Sequence, residues 1–281
     1  MKLGMHFSIA GSIDSAVDRA NELGCDTFQI FTRSPRRWMF KLLDEAEVED
    51  FRAKAEEFDM APLVVHMPYL PNLASHDDVV YGRSVTSLKS ELERTAQLGI
   101  PYLVTHLGSH LGRGREAGLK RLVAGIDECL GEVENDVQLL LENTAGQKNS
   151  MGTSVEELRE IMDRVRYTER VGVCFDTCHA FAAGYDLRTE DAVDETLELW
   201  GRTAGFQTLK VVHLNDSKGE LGSRRDRHDH IGLGNIGEEG FRAVIHDRTL
   251  RSLPMIMETP IDERRDDISN MRRLRELAGM I

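Results

Sequence analysis

Six short apolar runs in this chain each finish on a side chain that can bind a cation or carry a proton. His66 closes LVVH, His106 closes YLVTH, Glu142 closes LLLE, Asp176 closes VCFD, His213 closes KVVH and Glu258 closes MIME. Three more such groups follow in adjacent segments: His179, three residues after Asp176, and Asp226 and His228 in SRRDRHDH. One histidine at the end of an apolar run is most often structural. Several imidazoles and carboxylates brought together are different, because burying such groups without compensation costs several kcal/mol each and bound cations remove that cost. A mixed histidine and carboxylate set favours zinc or a similar transition metal over calcium or magnesium. One zinc takes about three or four protein ligands. Five histidines and four carboxylates therefore fit two or three ions. Clustered divalent ions suit phosphate-ester hydrolysis, in which they generate a hydroxide nucleophile and neutralise the phosphate and leaving oxygen.

Elements of a particular kind must position these groups. Apolar or β-branched runs lie at 3–8, 27–32, 63–67, 102–106, 138–143, 172–177, 208–214 and 254–259. Helical periodicity fills the gaps. In 12–24, Ser12 is placed to cap, Ala16, Ala20 and Leu23 share a face, and Gly24 is placed to stop the helix. In 153–165, Thr153 and Glu156 have capping-box spacing. Near-continuous apolar strands alternating with amphipathic helices mean a parallel sheet covered on both faces. Eight such units in 281 residues predict one α/β domain spanning 1–281, a (β/α)8 TIM barrel, with all strand ends opening onto one face. The competing architecture is an open doubly wound sheet. The letters Gly232-Leu-Gly234-Asn-Ile-Gly237 fit G-x-G-x-x-G, but they follow a charged loop rather than a strand, so no dinucleotide site is expected.

Composition sets the remaining bounds. Apolar residues make up 41% and charged residues 30% of the chain, which predicts a folded core and excludes disorder. No apolar run reaches the roughly 20 residues of a membrane span, and the first residues lack a leader pattern, so a cytoplasmic protein without membrane contact is expected. Cys25, Cys129, Cys174 and Cys178 are too sparse for a disulfide framework and read as small buried apolar residues. The net charge of −13 argues against nucleic acid. That charge is uneven. Residues 44–59 hold eight acidic and two basic residues, and 189–199 hold five acidic and none basic. Arg33, Arg36, Arg37, Arg113, Arg115, Arg224, Arg225 and Arg227 fall in loops expected on the ligand-bearing face. Together with bound cations, they predict a positive mouth on an acidic body and salt-sensitive DNA binding.

The segments CFDTCHAFAAGYD (174–186), HLNDSKGELGSRRDRHDHIGLGNIG (213–237) and MET (257–259) carry a family likeness. So do FTxxxRxW at 31–38 and HxxYL at 66–70. With His66, His106 and Glu142, they resemble the endonuclease IV family of zinc-dependent apurinic/apyrimidinic (AP) endonucleases over nearly the whole chain. The resemblance implies three zinc ions, with Mn2+ an alternative at one position. His66, His106 and Glu142 would hold the first ion. Glu142, Asp176, His213 and Glu258 would hold the second, and His179, Asp226 and His228 the third. Glu142, Asp176 and Glu258 would be the catalytic carboxylates. The implied reaction cuts duplex DNA 5′ to an abasic site, leaving 3′-hydroxyl and 5′-deoxyribose phosphate ends, through a metal-bridging hydroxide. Trimming of blocked 3′ ends is implied too. Arg36, Tyr69 and Leu70 match the family's DNA-wedging positions. Arg37, Pro68 and Leu107 depart from its pattern next to those contacts and leave the ligand set untouched. A monomer is expected. The competing enzyme is a single-metal sugar isomerase or epimerase, which would use Glu142, Asp176, His213 and Glu258 alone and have no need of the other five ligands. Of the remaining histidines, His6 lies in the first run as a support to a ligand or a core residue. His76 and His246 are expected on the surface, and His110 within reach of phosphate.

Overall fold

The computed structural model describes residues 1–39 and 41–281. Its strands are β1 (Lys2–Phe7), β2 (Gln29–Ile30), β3 (Val64–His66), β4 (Tyr102–Thr105), β5 (Gln138–Glu142), β6 (Val171–Asp176), β7 (Leu209–His213), β8 (Asp216–Ser217), β9 (His228–Asp229) and β10 (Pro254–Met257). Eight of them close a parallel barrel in the order β1-β10-β7-β6-β5-β4-β3-β2, which is the TIM-barrel architecture the alternating runs predict. β8 and β9 form a separate antiparallel ribbon within the connection between β7 and β10. Several strands are shorter than their apolar runs. β2 keeps two residues, and β4 and β10 stop one residue before His106 and Glu258.

Strand periodicity explains where the polar groups sit. Successive strand side chains alternate between faces. Val64, Val104, Leu140, Cys174, Val211 and Ile256 form one apolar plug inside the barrel. Their strand neighbours of opposite parity, among them Val65, Leu103, Leu139, Leu141, Val173 and Phe175, join the larger core beneath the helices. Two residues beyond each plug residue, on the same interior face, stand His66, His106, Glu142, Asp176, His213 and Glu258. The chemistry-bearing groups are thus the next interior layer, immediately above a dry floor.

The helices refine three expectations. α1 (Ser15–Glu22) starts three residues after Ser12, whose hydroxyl meets that of Ser15 at 2.9 Å; Gly24, at φ +67°, ends the segment as anticipated. α5 (Val155–Arg164) has its capping box one residue later than Thr153–Glu156. Ser154 Oγ accepts the Glu157 N–H at 3.2 Å, and the Glu157 carboxylate accepts the Thr153 N–H at 3.1 Å. Burial of Val155, Leu158, Ile161 and Met162 sets the phase of that helix, and it turns Glu157 rather than Glu156 toward the cap. The Gly232–Gly237 segment cradles an anion of the protein's own. The N–H groups of Gly234, Ile236 and Gly237 donate to the buried Asp216 carboxylate at 3.0, 3.0 and 3.4 Å. A Cβ on Gly234 would lie 2.5 Å from that carboxylate.

Acidic α2 (Glu45–Glu57) buries only Phe51, so its charges face outward. α3 (Asp78–Gln97), α4 (Arg115–Glu132), α6 (Thr177–Ala183), α7 (Glu190–Thr203), α8 (Gly237–His246) and α9 (Asp267–Leu277) complete the set of described α-helices. None of the described helices is long and apolar enough to cross a membrane. All four cysteines are buried and unpaired.

Candidate metal centre

The nine predicted groups converge at the mouth of the barrel in three clusters. His66, His106 and Glu142 form one; Glu142, Asp176, His213 and Glu258 form a second; His179, Asp226 and His228 form a third. Within each cluster the donor atoms lie within 4.8 Å of one another. Glu142 joins the first two: its Oε2 is 3.2 Å from His66 Nε2 and 3.0 Å from His106 Nε2, and its Oε1 is 3.0 Å from His213 Nδ1. In the third cluster, Asp226 Oδ1 is 3.2 Å from His179 Nε2 and 3.5 Å from His228 Nε2. His106 is the most open of these groups, with 40% of its side chain exposed.

The barrel places six of the nine through strand parity, and α6 places His179. Asp176 ends β6 and caps α6, accepting the His179 N–H at 2.7 Å. One helical turn then carries the His179 ring back over the strand ends. The β8–β9 ribbon brings Asp226 and His228, and the Asp216 cradle ties that ribbon to the start of α8.

A surrounding set of hydrogen bonds orients these groups, as a metal site would require. His66 Nδ1 bonds the Met67 carbonyl at 2.7 Å, His179 Nδ1 the Asn143 carbonyl at 2.9 Å and His228 Nδ1 the Glu258 carbonyl at 3.2 Å. Each ring therefore turns Nε2 toward the centre. His213 is reversed: its Nε2 donates to Gln29 Oε1 at 2.9 Å, and Nδ1 faces the carboxylates. Asn215 donates to Asp176 Oδ2 at 2.7 Å and accepts the Glu258 N–H at 2.8 Å. Asn143 Oδ1 accepts the Asp176 N–H at 2.7 Å. Gln29, Asn143, Asn215 and Asp216 escape sequence reasoning, because a lone amide or a single Asp inside an apolar stretch carries no spacing signal. Gln29 alone had a trace, as the one polar residue within FQIF.

Electrostatics match the crowding. Burial alone would push the Glu142 and Glu258 carboxyls up. The facing imidazoles win, holding Glu142 well below the ordinary range and Glu258 at about 2. Burial likewise opposes the charged forms of His179 and His213, but the neighbouring acidic groups raise both well above the ordinary imidazole range. His6 is the exception, since burial pushes it down to about 4.

A cavity of about 470 Å³ opens over the centre, lined by His6, Tyr69, His106, Arg227 and Thr259 among others. Tyr69 is 63% exposed and packs edge-on against Phe31 at 5.2 Å; Leu70 and Arg36 are exposed beside it. Arg36, Arg37, Arg113, Arg224, Arg225 and Arg227 present exposed cations. Two expected rim cations differ. Arg33 is buried against Glu91 at 2.5 Å, and Arg115 pairs with Glu157 and Glu160. His76 and His246 are on the surface, and His110 accepts the Gly114 N–H at 3.2 Å. A larger cleft of about 610 Å³ beside α4, lined by Lys120, Arg164 and Tyr167, is lined by none of the nine groups.

Known proteins are similar to this chain in sequence and fold. Residues 17–278 match the family described as Xylose isomerase-like TIM barrel. A protein named "Probable endonuclease 4" from Methanoculleus marisnigri is 57% identical over 278 residues, covering 99% of both chains. The crystal structure of endonuclease IV from Thermus thermophilus is 39% identical, superposes with a TM-score of 0.89 and covers 100% of each chain. A D-tagatose 3-epimerase-like protein shares the fold at 21% identity and a TM-score of 0.74, over 100% of this chain and 98% of its own. The chain belongs to the endonuclease IV family within the xylose isomerase-like TIM barrels.

Proposed function

We propose that this protein is a zinc-dependent AP endonuclease. It cuts duplex DNA 5′ to an abasic sugar, leaving 3′-hydroxyl and 5′-deoxyribose phosphate ends, and trims blocked 3′ ends. The observation that carries the reading is the gathering of nine donors into three clusters, the first two of which share Glu142. The donor set fits three divalent cations. It is mixed in histidine and carboxylate, with the outer ring nitrogens of His66, His179, His213 and His228 already committed. His228 Nε2 is buried without a hydrogen-bond partner among the described residues, as a ligand nitrogen awaiting a cation would be. The three clusters would hold one ion each, with Mn2+ an alternative at one of them. Bound there, the ions would supply Lewis-acid stabilisation of phosphoryl charge and an acidified water as nucleophile.

The chain's own residues do the rest. Glu142 and Glu258 keep their carboxylates ionised against burial and, with the oxygens of Asp176 beside them, offer the donor atoms that would draw cations into the barrel mouth. Asn215 and Asn143 fix Asp176 and Glu258, so the donors need little rearrangement. Tyr69 and Leu70 stand at the rim where they would wedge into the minor groove, with Arg36 and the other exposed arginines meeting phosphates. An acidic body with a basic rim restricts docking to the mouth.

The test is an abasic duplex assay on metal-loaded protein, with and without chelator, alongside Glu258→Gln. The substitution is expected to preserve the fold and abolish cutting. Elemental analysis separates this reading from the single-metal epimerase: about three ions per chain are expected. A single ion with no cutting of abasic DNA would overturn the endonuclease reading.

A further inference from the structure

His6 and Gln29 are the β1 and β2 members of the interior layer that holds the clusters, and they are paired across the two strands. Gln29 is fully buried, and its amide meets three partners. Its Nε2 lies 2.7 Å from Glu258 Oε1 and 3.0 Å from His6 Nδ1, and its Oε1 lies 2.9 Å from His213 Nε2. A carboxylate only accepts, so the NH2 end must face Glu258; a flipped amide would set oxygen against oxygen. The remaining amide hydrogen then points at His6 Nδ1. A proton on that nitrogen would face a donor, so Nδ1 carries the lone pair and Nε2 carries the ring proton. The rival arrangement, Nδ1–H bonded to Glu258, spans 3.7 Å, beyond hydrogen-bond range.

One amide therefore sets two imidazoles in opposite senses. His213 gives its Nε2–H to the amide oxygen and faces the carboxylates with Nδ1, and His6 keeps a hydrogen on Nε2. That His6 nitrogen has no protein partner among the described residues, and the ring lines the cavity beside Tyr69 and Thr259. Phe31, at a ring-centroid distance of 4.4 Å and tilted by 56°, fixes the ring plane. We propose that His6 Nε2–H is a preset hydrogen-bond donor to a sugar or phosphate oxygen of the DNA strand in this cavity, with Gln29 the positioning residue that keeps the proton there. The assignment rests on the endonuclease reading above and adds to it a substrate contact that is not a metal ligand.

The experiment uses the full-length zinc-loaded protein. Long-range proton–nitrogen correlation spectra of histidine-labelled protein at neutral pH are expected to show His6 protonated on Nε2 only. Kinetics on an abasic duplex then compare His6→Gln, whose terminal amide falls near Nε2, with His6→Asn, whose amide falls near Nδ1. Loss of one neutral hydrogen bond lowers kcat/KM by about threefold to tenfold, which is expected for His6→Asn. His6→Gln should retain most of it, and both should keep the wild-type zinc content. A spectrum with the proton on Nδ1, equal rates for the two variants, or zinc lost together with activity would overturn the assignment. Failure of the wild type to cut would instead overturn the endonuclease reading, while the spectrum still reports the His6 proton.

Discussion

The Asp216 cradle offers a sharp test of how the fold holds the third cluster. Asp216 is fully buried, and its two oxygens accept four backbone N–H groups: Ser217 and Ile236 on Oδ1 at 2.8 and 3.0 Å, and Gly234 and Gly237 on Oδ2 at 3.0 and 3.4 Å. Asp216→Asn keeps the shape and turns one oxygen into a donor. The Gly234 N–H then faces an N–H, and the longer Gly237 contact is lost as well. A buried donor left unsatisfied costs about 1–3 kcal/mol, so two of them, one weak, cost about 2–4 kcal/mol. Burial opposes the Asp216 charge and raises its carboxyl above the ordinary range. Relief of that charge returns part of the loss, leaving about 2 kcal/mol of net destabilisation. For a chain of this length, with an unfolding entropy of about 2.1 cal/mol/K per residue, that lowers Tm by about 3–4 °C. The local effect should be larger than the global one, because the cradle anchors the ribbon that carries Asp226 and His228. Thermal unfolding and elemental analysis are run together, and the variant should lose about one zinc of three while the circular dichroism of the barrel persists. A variant with unchanged Tm and full zinc content would refute the cradle's role; so would uniform loss of all the zinc.

Four further predictions rest on the same geometry. Burial pushes all four cysteine thiols up to about 12, so a thiol reagent at pH 8 should find none in the folded protein and four after denaturation; stoichiometric labelling of the native state would contradict this. His179 and His213 hold protons well above the ordinary imidazole range in the metal-free protein. Their stabilising contribution is complete below the unfolded value of about 6.5 and is lost as pH rises through the raised folded values; the chelated protein should thus lose stability toward alkaline pH. Zinc binding should in turn release protons and tighten with pH, and calorimetry showing no buffer-dependent heat would refute it. DNA affinity should fall steeply between low and moderate salt, by about 0.9 log units per log unit of salt for each phosphate contacted; a flat response measured by anisotropy would exclude docking through the exposed arginines.

Much of the barrel and the six His, Asp and Glu side chains at its strand ends could be read from the chain because both depend on local pattern. A parallel strand buried on both faces is an apolar run, and a His, Asp or Glu at its end breaks that run visibly. The two-residue strand period then carries Val64 to His66, Leu140 to Glu142 and Ile256 to Glu258 on one interior face. Helix starts were less legible. Thr153 and Ser154 are both competent caps, and only the packing of α5 chose between them.

Residue types at strand ends, their spacing and the eight alternating units were determined by the sequence, because side-chain chemistry and periodicity are properties of short segments. The closure of β1 on β10 was decided only in three dimensions, and with it the meeting of Gln29 with Glu258 and His213 from strands far apart in the chain. So were the withdrawal of Arg33 from the rim to Glu91 and the use of Asp216 to fill a glycine-rich turn. Each of those depends on which distant group satisfies a buried donor or charge, and no local pattern encodes a partner that the chain reaches only by closing on itself.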